Sequence, residues 1–111
     1  MPYNRIREKH MQEINIYVIK SEILTDIEAR EQLDIVFGKL LNKYNGLTVL
    51  PIKAGYWIDT ENKKVCIDVG EIWQIITDNV NNVINDTLEI KTITKQKSQL
   101  VTTKTINSYF L

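Results

Sequence analysis

Residues 65–90 read VCIDVGEIWQIITDNVNNVINDTLEI, and the order of elements in the fold turns on how this stretch is divided. Taken as strand as far as Thr77, it puts Val65, Ile67, Val69, Trp73 and Ile75 on one face, with Glu71 as the exception. A helix then starts near Asp78, at an Asx cap, and carries Val80, Val83, Ile84, Leu88 and Ile90. Taken as helix, Asp68-Val69-Gly70-Glu71 forms a weak capping box, and Ile72, Ile76, Val80 and Val83 form an apolar stripe. Thr87 to Thr94 would then be a strand, which its threonine and isoleucine content suits. Local propensity does not separate the two.

Working outward, Lys64 to Val69 is extended under the strand division, and Asp59 to Lys63 before it is polar and turn-like. Leu47 to Ile58 is also extended, so the two segments form a hairpin with a loop longer than the two-residue ideal. Pro51 cannot donate to a ladder and implies an edge or a bulge, and Gly55 marks a second irregularity. Upstream, Ala29, Leu33, Val36, Phe37, Leu40 and Tyr44 recur at helical spacing, and Asn45-Gly46 supplies a stop. Thr25-Asp26-Ile27-Glu28 fits a capping box at the start, with Thr25 as the cap. Ile14, Ile16 and Val18 alternate as a first strand over Ile14 to Ile19, and Leu100 to Phe110 is a last one. Residues 1–12 are polar and read as an N-terminal tail, leaving residues 13–111 as a single α+β domain. A compact chain of this length has a radius of gyration of about 13 Å.

Gly46-Leu47-Thr48-Val49-Leu50, then Gly55-Tyr56-Trp57, and later Gln96-Lys97-Ser98-Gln99-Leu100 resemble a G-x-T-V-L…G-x-W…Q-x-S-x-L pattern. That pattern belongs to a family of small bacterial proteins without an assigned activity. The resemblance implies a ferredoxin-like βαββαβ sandwich, an antiparallel sheet with two helices on one face and an extended central hairpin. It favours the strand division of residues 65–77, with the second helix from about Asn79 to Lys95.

Lysine plus arginine equals aspartate plus glutamate at 14 each, so the basic excess that phosphate neutralisation requires of a nucleic-acid binder is missing. The single cysteine, Cys66, rules out an intrachain disulfide, and neither a signal peptide nor a membrane-length apolar run is visible. The expected compartment is therefore the cytoplasm. One histidine, His10, and one cysteine fall short of a zinc ligand set, and neither a P-loop nor a G-x-S-x-G elbow occurs. No cofactor is expected, and an enzyme is the least favoured class.

What remains is surface. Tyr56, Trp57 and Trp73 concentrate aromatic area on the hairpin, and the strand division puts Ile72 and Ile76 on the face opposite Trp73 and Ile75. Helices cover one face of a ferredoxin-like sheet, so apolar groups on both faces ask for a second cover. These features describe a small binding module that meets itself, as a dimer, or another protein, through Tyr56, Trp57 and Trp73. A small-molecule or nucleotide-binding regulator, with ligand near Lys53, Gly55 and Asp68, is the first alternative. A phage or mobile-element protein that occupies the surface of a host factor is another.

Overall fold

Val65–Thr77 is one continuous strand of 13 residues, so the strand division of the deciding stretch is the correct one. Burial shows why: Trp73 and Ile75 are buried, at 2% and 0% exposure, whereas Ile76, which the helical stripe would have turned inward, is 44% exposed. The structure is a computed structural model, and it describes residues 7–110. Its elements are β1 (Arg7–Ile19), α1 (Ile27–Tyr44), β2 (Thr48–Ile58), β3 (Val65–Thr77), α2 (Val80–Ile93) and β4 (Val101–Phe110). All pairings are antiparallel and the sheet order is β2-β3-β1-β4, which with the two helices makes a ferredoxin-like βαββαβ fold.

The core lies between the helices and one sheet face. Ile14, Ile16 and Val18 of β1 and Trp73 and Ile75 of β3 meet Leu33, Val36 and Leu40 of α1 and Val83 and Ile90 of α2. Phe37 packs edge-to-face on Trp73, with ring centroids 5.1 Å apart. Three expectations at the ends of elements are corrected here. The cap of α1 is Asp26, not Thr25: the Asp26 carboxylate accepts from the Ala29 N–H at 3.0 Å, and Ile27 is the first helical residue. Both residues are good caps, and Asp26 also pairs with Lys95 at 2.9 Å. At α2 the cap is Asn79, not Asp78, accepting from the Asn82 N–H at 3.3 Å.

The third correction concerns the tail, because residues 7–12 belong to β1. Arg7 to Ile16 pair with Phe110 back to Val101, and the Gln12 amide donates to the Thr105 hydroxyl at 2.9 Å. His10, expected as a solvated tail residue, is exposed but placed, with Nδ1 2.9 Å from Asn107 Oδ1. The pairing partner is about 90 residues away, so no local signal announces it. Residues 1–6 of the expected tail lie outside the described residues.

Strand overhang shapes the molecule. β1 and β4 run past β3 at one end of the sheet, and the β2–β3 hairpin runs past β1 at the other. The extents are 65 × 30 × 24 Å and the radius of gyration 16.7 Å, well above the 13 Å expected of a compact chain. Two-stranded arms bury little of their own surface, so their side chains are available to partners.

Candidate functional site

A bulge decides what the hairpin presents. Ile52 pairs with Gly70 but Gly55 pairs with Asp68, so β2 carries one extra residue at Lys53-Ala54. The irregularity falls between Pro51 and Gly55, the two positions that announced it. The extra residue reverses the alternation of β2. Before it, Leu50 and Ile52 share the open sheet face with Ile72; after it, Gly55 and Trp57 take that face, opposite Asp68 and Cys66. Tyr56 and Ile58 are turned to the helix side, opposite Ile67 and Val65.

The expected aromatic cluster is therefore divided three ways. Trp73 is a core residue and no part of a binding surface, because its neighbours Val49 and Ile16 bring it under α1. Tyr56 is exposed on the helix-side face of the hairpin. Trp57 stands on the open face, where its indole Nε1–H donates to Asp68 Oδ2 at 2.6 Å. Lys53, Gly55, Trp57 and Asp68 do come together, and Trp57 is the wall between two concavities. On one side Lys53, Gly55, Tyr17 and Ile72 line a shallow hollow of about 470 Å³. On the other, Asp68, Ser21, Lys95, Lys97 and Ser98 border a longer groove of about 790 Å³.

The groove exists because β1 stops. At Lys20 the chain leaves the sheet, and Ser21 seals the ladder by accepting from the Val69 N–H at 2.9 Å. The loop from α2 to β4 returns on the far side, with Lys95 in the left-handed region at φ 57°. Gln99 fixes that loop by donating to the Tyr17 carbonyl at 2.7 Å. Lys95 is held by Asp26, whereas Lys97 forms no ion pair among the described residues. Ser21, Lys97 and Ser98 were not identifiable as site residues from spacing. Two signals were available: Lys97 and Ser98 lie inside the Gln96–Leu100 motif, and Lys97 belongs to the acid-free end after Glu89, with Lys91, Lys95 and Lys104.

The hairpin tip is a set of Asx turns, with Asp59 accepting from Glu61 N–H at 2.8 Å and Asn62 from Lys64 N–H at 3.0 Å. Among the described residues no group of three metal-ligating side chains could hold an ion. No described helix is long and apolar enough to cross a membrane.

Glu71, the acid that broke the apolar alternation of β3, has a structural explanation. It accepts from the indole N–H of buried Trp73 at 3.1 Å and pairs with Lys20 at 2.6 Å. Burial pushes its carboxyl up, but the hydrogen bonds from Lys20 and Trp73 and the Lys20 charge outweigh it and hold the group below its ordinary 4.5. Asp86 behaves alike: burial opposes ionisation, and Lys43 and Tyr44, each 2.7 Å away, overcome it. In the unfolded chain these groups titrate at their ordinary values. Their stabilisation is therefore present above those values and lost as pH falls through the lower folded ones. Glu71→Gln should flatten the acid limb of a Tm-against-pH curve below pH 4.5; an unchanged limb would deny Glu71 this role.

No family model and no curated protein matches the chain. Among solved structures it is similar to the B. subtilis GlnK–ATP complex, at a TM-score of 0.50 and 16% identity. The match covers 87% of this chain and 82% of that one, and at this identity it establishes the shared ferredoxin-like fold.

Proposed function

We propose that the chain is a small-ligand-binding regulatory module, and that its ligand is a nucleotide or a similar anion with a flat ring. The observation that carries this reading is the groove beside Trp57. There the Lys97 ammonium, in no ion pair among the described residues, and the Ser98 hydroxyl line the same groove as the Trp57 indole. A phosphate suits the first two, and a base suits the indole face. The likeness to a protein solved with ATP supports the choice of ligand class.

Thermal unfolding in the presence of ATP, other nucleotides and inorganic phosphate tests the reading. A ligand that binds only the folded chain at 100 times its Kd adds about 2.7 kcal/mol, a shift of several degrees for a domain of this size. Lys97→Glu, by weakening binding at least tenfold, should cut the shift to about half or less while leaving the ligand-free Tm within a degree or two. Absence of a shift with every compound contradicts the proposal.

A second reading, a protein-interaction module, is favoured by a separate observation. Leu50, Trp57 and Ile76 are exposed on the sheet face that carries no helix, and Tyr56, Ile58, Val65 and Ile67 are exposed on the hairpin. Partner surfaces of this kind are apolar at their centre and rich in aromatics.

A further inference from the structure

β3 outruns β1. The ladder between them ends at Ile19 and Gly70, where the Lys20 N–H donates to the Val69 carbonyl at 2.8 Å. Beyond that point residues 65–68 have, among the described residues, a strand partner on the β2 side only. Backbone groups alternate in direction along a strand, so Val65 and Ile67, in step with Val69, aim their N–H and C=O groups along a free edge. The helix-side face of the same hairpin holds the cross-strand pairs Tyr56–Ile67 and Ile58–Val65. All four side chains are between 59% and 69% exposed. Together they form a patch on the order of 500 Å², near the top of the range for the largest patch on a monomer.

The chain carries the complement to this surface. β4 is an outer strand of ten residues with no proline and one charged side chain, Lys104, in its middle, and among the described strands it pairs with β1 alone. On α2, Val83, Thr87 and Ile90 are buried, and Asn85, Asp86 and Glu89 border the gap to α1. Ile84 and Leu88 are left for the opposite flank, 42% and 63% exposed. α1 packs over β3 and α2 over β1, so that flank overhangs β4.

We propose that the β4 edge of a second copy adds to the free β3 edge of the hairpin. In this arrangement Tyr56, Ile58, Val65 and Ile67 lie against that copy's Ile84 and Leu88. When one sheet continues into the next with helix sides in common, a single geometry pairs the edges and covers both apolar patches. The patch supplies over half of the ~800 Å² per partner that a stable interface needs, and the paired strands supply more. A formal net charge of zero leaves little long-range repulsion between copies. The two surfaces differ, so the contact is heterologous and closes either reciprocally into a dimer or into a ring. This inference rests on the reading of the hairpin as a protein-binding surface; because Cys66, Ile67 and Asp68 of the free edge also line the groove beside Trp57, a strand added here and a ligand in the groove compete for one place.

Size-exclusion chromatography with light scattering at about 100 µM tests it, since that concentration populates any contact with a Kd near 1 µM. The intact chain should exceed its monomer mass of 13.0 kDa. Ile67→Lys and Leu88→Lys, both at exposed positions, should each return it to that mass with an unchanged circular dichroism spectrum. The double variant Ile67→Lys with Leu88→Glu should reassemble. An intact chain that is monomeric overturns this inference and leaves the protein-interaction reading to a partner other than a second copy. An assembly that survives Leu88→Lys, or that survives both lysines yet dissolves with Ile72→Lys on the open face, overturns this inference and leaves that reading standing.

Discussion

Gly70→Ala should cost at least about 3 kcal/mol of folding stability, more than the usual penalty for one added methyl group in a core. A Cβ built on Gly70 would overlap the Val18 carbonyl oxygen and stand 3.0 Å from Ile19 Cα, and both are backbone atoms that cannot rotate away. Gly70 has no positive φ, so close approach is its requirement, not backbone conformation. The strand it presses on is the second of the two central ones. β1 bonds β3 on one side and β4 on the other, and its Ile14, Ile16 and Val18 are fully buried. Moving β1 to accommodate a methyl group therefore disturbs two ladders and the core together. Urea unfolding followed by circular dichroism measures the loss. With total stabilities of about 5–15 kcal/mol typical, a loss of that size lowers the midpoint visibly. A variant within 0.5 kcal/mol of the parent, an informal threshold near the usual scatter for surface substitutions, would show that the β1–β3 approach is not as close as described.

Trp73→Ala should cost about 3–5 kcal/mol by the same measurement. Its side chain is among the largest that are buried, and truncation removes the contact with Phe37 and leaves a void under α1. Part of the loss would come from polar groups, since Glu71 accepts from the Trp73 indole and would keep only Lys20 as partner. Trp57→Ala, on the exposed hairpin, should change stability by under about 1 kcal/mol. The contrast separates the two tryptophans, which sequence reasoning placed on one surface. Equal losses at both positions would contradict the assignment of Trp73 to the core and Trp57 to the site.

That separation shows where a sequence of this kind stops being legible. Helix α1 could be read from Ala29, Leu33, Val36 and Leu40 because its signal is local, and even its cap was displaced by only one residue. The division of residues 65–77 was open locally and was decided by tertiary packing: Trp73 is drawn inward by α1, and Ile76 is not. Residues 7–12 read as tail because their partners in β4 are distant in sequence, and polar cross-strand pairs such as Gln12–Thr105 have no periodicity of their own. The site was half visible. Lys53, Gly55, Trp57 and Asp68 were identifiable as hairpin residues, but the bulge at Lys53-Ala54 sets which face each occupies, and alternation alone would place Trp57 with Trp73. Lys97 and Ser98 reach the groove through a loop whose path depends on where β1 ends, and nothing adjacent to them in sequence signals that.

The ligand proposal can be tested at the indole itself. Trp73 is sealed in the core, so a change in tryptophan emission on adding ligand reports Trp57. Titration of the intact chain with ATP should give a saturable emission change that vanishes in Trp57→Phe and is weakened at least tenfold, about 1.4 kcal/mol, in Lys97→Glu. A flat titration to millimolar ATP, guanine nucleotides and phosphate, or a response retained in Trp57→Phe, would contradict a ligand site beside Trp57.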